Sequence, residues 1–332
     1  MKLQQLRYIW EVSRQNLSVS AAAQHLFTSQ SGMSKQILAL EEELGVKIFM
    51  RNGKHLAGMT EAGQAIVAMA GEVLQKTENI ARLAAEFCDE SSGSLVIATT
   101  HTQSRYVLPP VISAFIGKYP DVSLQLHQGT PLQIAEMAAK GAADFAIATE
   151  AIDKFSDLLM MPCYRWNRSV LVPRGHPLAQ LEKLTLADVA AYPLVTYVVG
   201  FTGRARLDLA FSNAGLSPRV VFTAVDADVI KTYVRLGLGV GIIANMAYDP
   251  LRDDDLVALN ANALFDYSIT RIGFRRGTLL RAYMIEFMRM FAGHQSAPSV
   301  EQVIQCHNQS EIDSLFSDTV LPELHSMPTV TR

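Results

Sequence analysis

Apolar positions in the first fifty residues recur at spacings of three and four, the signature of helices. Leu3, Leu6, Ile9, Trp10 and Val12 form one stripe and predict a first helix. The run from Ser18 to Phe27 predicts a short second helix with alanines on its packing face. Thr28-Ser29-Gln30 breaks it with side chains suited to cap whatever follows. From Ser31 to Leu44, the residues Met33, Ile37, Leu40 and Leu44 share one face, while Gln30, Ser31, Ser34 and Lys35 lie opposite. Val46-Lys47-Ile48-Phe49 alternates as a strand, and Arg51-Asn52-Gly53-Lys54 reads as a basic turn. Together these predict a winged helix-turn-helix over residues 1–60, with the helix-turn-helix itself at about 19–38. Its polar face has the chemistry to bond base edges and phosphates, so Thr28, Gln30, Ser31, Ser34 and Lys35 are candidate contacts to double-stranded DNA. Arg51 and Lys54 add a charged wing. A small helical bundle with a solvated face is the plainer reading, and it leaves the basic wing unexplained.

Residues 61–90 predict a linker helix and hinge. Ile66, Met69, Val73, Ile80, Leu83 and Phe87 fit a heptad seam with Lys76 in the polar slot. An isolated helix of this kind is unstable, so the seam predicts pairing with a second copy; packing on its own chain is the alternative. After the polar stretch Cys88 to Gly93 the pattern changes to strands alternating with helices. Strands are expected at 94–99, 122–126, 144–148, 169–172, 194–197, 220–222 and 269–274. Helices are expected at 107–119, 134–140, near 187–190, at 204–213 and at 280–291. This rhythm predicts parallel sheets covered on both faces, in two α/β lobes within 91–293, the second spanning about 166–267. The tail, 294–332, holds two weak helices and no assigned role.

Ligands of α/β lobes collect where strands end and helices begin, because free backbone N–H groups there attract anions. Thr100, Thr102 and Gln103 follow the first strand, Thr149 ends the third, and Thr202 precedes a helix of the second lobe. These donors suit a small anionic metabolite held between the lobes. Simple helix capping is the competing reading of each threonine. Gly237-Leu238-Gly239-Val240-Gly241 follows a helix and precedes a strand, the reverse of a phosphate loop, so Gly237 is read as a helix C-cap and Asp228 as the cap of its own helix.

Composition modifies this picture in three places. The whole chain carries a net charge of −3, which argues against nucleic acid, but residues 1–60 alone carry seven basic and four acidic side chains. That local footprint is modest and calls for a dimer or larger assembly to collect phosphate contacts. No signal-peptide core or membrane-length apolar run occurs, so the expected location is the cytoplasm, away from membranes. Cys88, Cys163 and Cys306 form no metal spacing and read as idle thiols, with a redox pair as the alternative.

These segments resemble the LysR-type transcriptional regulators. The likeness rests on Leu3 to Tyr8, Ala21 to Leu26, Ser29 to Ile37, Leu40 to Phe49 and Thr60-Glu61-Ala62-Gly63, and it runs to about residue 292. It is nearest the CysB-like subgroup, through Ala98 to Tyr106, Gly200 to Arg204 and Asp226 to Gly239. The resemblance implies a two-lobed periplasmic-binding-protein-like effector domain, linker-helix dimerisation and assembly to a tetramer. It implies an activator of sulfur-assimilation or alternative sulfur-source genes that engages RNA polymerase. It also implies sulfate or acetylserine binding at the matching Thr100, Thr102, Gln103, Thr149 and Thr202, with adenosine phosphosulfate a third candidate effector.

Two other classes compete. A solute-binding protein shares the lobes but not the winged helix-turn-helix. An enzyme acting on a small anion needs a general base near the threonines, for which His101 is the nearest residue; His127 and His176 lie in separate segments. No nucleophile elbow or metal-binding HExxH occurs, so no catalytic residue, metal or cofactor is expected.

Overall fold

The computed structural model describes all residues except Lys54, Glu90, 150–154, 293–299 and 325–332. They group into two units, Met1–Cys88 and Asp89–Arg332.

In the first unit, serine caps set the helix starts. Ser18 accepts from the Ala21 amide at 3.2 Å and begins α2 (Val19–His25), after α1 (Leu3–Arg14). Ser29 accepts from the Gly32 amide at 3.1 Å and begins α3 (Gln30–Leu44). Leu6, Ile9, Val12, Met33, Ile37 and Leu40 close the core, as their spacing predicts. Leu3 and Leu44, the ends of the expected stripes, are exposed because the helices outrun their neighbours there. The second helix stops at His25, short of the expected Phe27, where the backbone turns left-handed with φ 50°.

The wing differs from the expected strand at 46–49. Glu41 is buried and its Oε1 accepts from the amides of Ile48 and Phe49 at 2.9 and 3.1 Å. Those donors are therefore spent on a side chain, and the ladder runs instead through β1 (Phe49–Asn52) and β2 (His55–Met59). Arg51 and Asn52 are strand residues, not turn residues. Lys54 lies outside the described residues.

The long helix α4 (Glu61–Cys88) is locked to this unit at its start. Thr60 accepts from the Gly63 amide at 2.9 Å, and its own amide donates to Ile48 at 3.0 Å. A Cβ on Gly63 would lie 2.0 Å from the Ile48 carbonyl, so only glycine allows this approach. Val67, Ala70 and Leu74 are buried on one face, while Met69, Val73, Ile80, Leu83 and Phe87 are exposed on the other. Ile66 packs toward the domain core and leaves the expected outward seam.

The second unit holds two five-stranded sheets. The first lobe contains β3 (Gly93–Thr99), α5 (His101–Tyr106), α6 (Leu108–Lys118), β4 (Val122–Gln128), α7 (Pro131–Ala139), β5 (Phe145–Ala148) and β6 (Leu158–Trp166). The chain then crosses to β7 (Arg168–Pro173), α8 (Leu186–Ala190), β8 (Leu194–Tyr197), α9 (Arg204–Asn213), β9 (Val220–Ala224), α10 (Ala227–Arg235), β10 (Val240–Ala244) and β11 (Leu256–Asn260). It returns through β12 (Ser268–Arg275) and α11 (Ala282–Ala292), with α12 (Val300–Gln305) and α13 (Gln309–Leu315) in the tail.

The strand orders are β4-β3-β5-β12-β6 and β11-β7-β10-β8-β9. Neither sheet is purely parallel, contrary to expectation. β3 runs parallel to β4 and β5, but β12 is antiparallel to β5 and β6; β7 is likewise antiparallel to β10 and β11. The cause is topological: β6 and β12 carry the chain between lobes without a helical crossover, which parallel pairing requires. The tail packs on the first lobe, burying Val300, Val303 and Ile312 in its core.

Candidate functional site

On the first unit, the expected DNA-facing residues come together at the start of α3. Gln30, Ser31 and Lys35 are exposed, Thr28 and Ser34 half-buried. Gln30 and Ser31 occupy the first helical turn, where unbonded amides and the helix dipole favour a phosphate. Arg51 stands on the neighbouring wing, with its Nη2 3.7 Å from Glu41 Oε2; Lys47 is held at the same distance. Glu41 therefore tethers the wing's cations, an interaction that sequence spacing alone did not suggest.

In the second unit, Gln103, Thr149 and Thr270 form one hydrogen-bonded row. Gln103 Nε2 donates to Thr270 Oγ1 at 3.3 Å, and the Thr149 and Thr270 hydroxyls are 3.3 Å apart. Trp166 Nε1 donates to Thr149 at 3.3 Å, and the Tyr164 hydroxyl donates to Gln103 Oε1. Thr102 on α5 and Thr100 just before it are buried, and Thr100 makes no side-chain capping bond. Capping therefore does not account for Thr100.

Thr202, on the second lobe, sits in a left-handed conformation at φ 43°. Its neighbour Gly203 is fixed by the buried Arg168, whose Nη2 donates to the Gly203 carbonyl at 2.8 Å and to Ser268 Oγ at 3.1 Å. Tyr197, also from the second lobe, has its hydroxyl pushed up to about 12 by burial, against the pull of the Ala244 amide and Thr102.

Thr270, Trp166, Tyr164, Tyr197, Arg168 and Ser268 escaped the sequence reading. One signal was present: Tyr164 and Trp166 alternate at the end of β6, with Arg168 two residues on at the start of β7, and Thr270 and Ser268 pair with the first two. Period-two alternation of buried polar groups places them on one face.

A latch closes the lobes beside this site. Asp228 accepts from the Tyr106 hydroxyl at 2.6 Å and lies 3.6 Å from Arg105 and 3.9 Å from His101. The expected helix cap is instead Asp226, which accepts from the Val229 amide at 2.8 Å. Asp228 is left to hold the opposite lobe. Among the described residues, His101, Asp226 and Asp228 offer metal-ligand atoms within 4.8 Å of one another. Arg105 and Lys231 already neutralise Asp228, which makes this an ion-pair latch. Gly237 does terminate α10, at φ 76° with its amide bonded to Val234.

Comparison with known proteins settles the family. Residues 3–64 match the bacterial regulatory helix-turn-helix proteins of the lysR family, and residues 89–296 match the LysR substrate binding domain. The chain belongs to the LysR family of transcriptional regulators. It is 51% identical over 305 residues to the HTH-type transcriptional regulator SsuR of Burkholderia cenocepacia, covering 92% of this chain and 99% of that one. Identity is also 51% over 316 residues to CysB of Haemophilus influenzae, covering 95% and 98%. Among solved structures it resembles the cofactor-binding domain of the Cbl transcriptional regulator, with TM-score 0.62 and 44% identity, over 66% of this chain and 96% of that domain.

This LysR-type regulator thus joins a DNA-binding helix-turn-helix to a two-sheet α/β effector domain, as the sequence implied. Among the described residues, no helix is long and apolar enough to cross a membrane.

Proposed function

We propose that this LysR-type regulator activates genes for sulfur assimilation or alternative sulfur sources, in the cytoplasm, in response to a small anion bound between its lobes. The effector is sulfate, acetylserine or adenosine phosphosulfate. Thr100, Thr102, Gln103, Thr149 and Thr202 hold it by hydrogen bonds. The supporting observation is the hydrogen-bonded row of Gln103, Thr149 and Thr270 beside the end of β3, with the Arg168 guanidinium holding Gly203, the residue after Thr202. The similarity to CysB and SsuR supports the sulfur reading. Gln30, Ser31 and Ser34 read bases, while Thr28, Lys35, Arg51 and Lys54 contact the backbone or groove.

The outward row on α4 pairs two chains, and effector domains join dimers into a tetramer that engages RNA polymerase. Effector binding changes the population of closed lobes and thereby the spacing of the DNA-binding domains, which requires the ligand to prefer one conformation.

Isothermal titration of sulfate and acetylserine into the wild type and Thr102→Val tests the site. The valine keeps side-chain volume and deletes a donor, so binding should weaken by about 1–3 kcal/mol while ligand-free DNA affinity stays intact. Equal affinities for the two proteins would refute the assignment of Thr102. Chemical turnover of the anion would instead favour an enzyme.

A further inference from the structure

The two chain crossings between the lobes are Trp166–Arg168 and the segment leading into Ser268. Tail residues 322–324 bond to residues at both crossings. Arg165, at the edge of the first sheet, donates its amide to the Pro322 carbonyl at 2.9 Å and accepts from the Leu324 amide at 2.9 Å. Pro322 to Leu324 thus adds a short parallel rung to β6 at the point where it leaves the first lobe.

Glu323 bridges both crossings from that rung. One carboxylate oxygen lies 3.2 Å from Arg165 Nη2, and the other accepts from the Tyr267 hydroxyl at 3.1 Å. The Arg165 guanidinium sits over the Tyr267 ring at 4.5 Å. A third tie reaches the second lobe, where Asn245 Nδ2 donates to the Leu324 carbonyl at 3.0 Å. The tail therefore contacts the outgoing crossing, the returning crossing and the far lobe within a few residues.

We propose that residues 322–324 are a strap that holds the hinge at the angle of the closed lobes, and that Glu323 is its positioning residue. At this angle Tyr106 meets Asp228 across the cleft while the strap is in place, and this arrangement is taken as the closed one. Rotation of the lobes pivots on the two crossings. Opening works against the ties of Arg165, Tyr267 and Asn245 to this segment. Glu323 acts through Arg165 and Tyr267. The strap sets the fraction of protein already competent to grip a ligand, and apparent affinity scales with that fraction. The effect on a ligand rests on the effector reading above, whereas the effect on the hinge does not.

The test uses full-length Glu323→Gln and Tyr267→Phe, which retain shape and remove the ion pair or the hydroxyl. Hydrogen–deuterium exchange without ligand should quicken by about tenfold at residues 165–168 and 266–268, with the rest of the first sheet unchanged. Sulfate affinity by isothermal titration should fall about threefold, in proportion to the lost closed population. Unchanged exchange at both crossings overturns the strap. A lowered melting temperature with wild-type sulfate affinity and crossing exchange would make the tail a mere packing element, which also overturns it. If the wild type binds neither sulfate nor acetylserine, the effector reading fails, and the exchange measurement alone decides the strap.

Discussion

Arg168 Nη2 donates to the Gly203 carbonyl at 2.8 Å, which ties the loop of Thr202 to the crossing between lobes. The same guanidinium donates through Nη1 to the Asp266 carbonyl at 3.2 Å, on the returning crossing. Gly203 has φ 73°, and a Cβ there would stand 1.8 Å from Nη2. Gly203→Ala must therefore displace a buried cation and strain the backbone. The strain costs about 1 kcal/mol and a lost charged hydrogen bond about 1.5–3 kcal/mol. Urea denaturation should show the Asp89–Arg332 unit destabilised by roughly 3 kcal/mol. A change within about 0.5 kcal/mol would show that Arg168 moves aside at no cost.

Glu41 separates two roles that the wing combines. Glu41→Ala leaves the Ile48 and Phe49 amides without their acceptor and should destabilise the first unit by about 2–4 kcal/mol, read by thermal unfolding. Arg51→Ala keeps those bonds. It should weaken binding to every DNA sequence and lower the log–log salt slope by about 0.9, measured by fluorescence anisotropy across a salt series. An unchanged slope would mean that Arg51 stays with Glu41 and never meets phosphate.

The helix-turn-helix was legible because its information is local: three- and four-residue spacings, and Ser18 and Ser29 at the caps. The effector fold was legible through apolar runs such as Phe145–Ala148, whose burial on both faces needs no long-range knowledge. β6 was not. Leu158–Trp166 is almost wholly buried, so it shows no alternation, and Pro162 argues against a strand. The structure accommodates Pro162 on an edge strand, beside a register shift opposite Thr270 and Arg271. The site divides in the same way. Thr100 to Gln103 announced themselves beside a strand end. Thr270 pairs with Tyr164 and bonds to Gln103 across a sequence gap of 167 residues, a relation that only the sheet order creates.

Acid should reveal the buried pair behind the latch. Lys231 Nζ lies 2.7 Å from Asp253, and both side chains are buried. Burial alone would raise the Asp253 pKa, but Lys231, the Asp249 amide and Arg235 outweigh it and hold the carboxyl below its ordinary value. A depressed folded pKa contributes stability above the unfolded value, about 3.9, and that contribution is lost as pH falls through the folded value. Asp253→Asn should remove this acid dependence and leave Lys231 with only the more distant carboxylate of Asp228, at 3.9 Å, costing about 3 kcal/mol near neutral pH. Parallel denaturation curves of mutant and wild type at neutral and acid pH check it, and an equal loss at both would exclude the pair as its source.

Phe27 stands 97% exposed between α2 and α3, at φ 50°. Its amide still donates to the Gln24 carbonyl at 3.2 Å, and the next amide donates to Ala23 at 2.9 Å, so the turn itself is well bonded. An aromatic side chain is an expensive choice there. The left-handed region costs a β-carbon residue roughly 1–2 kcal/mol, whereas asparagine enters it readily. Strain of this kind persists where function requires the side chain. The ring lies three residues before Gln30, beside the helix start proposed to contact DNA, and apolar rings contact thymine methyls. Phe27→Asn should therefore stabilise the first unit by about 1 kcal/mol in thermal unfolding and weaken operator binding in anisotropy. Replacing operator thymines with uracils should erase the difference between the two proteins. A mutant that gains stability and keeps full affinity would show that the ring never touches the duplex.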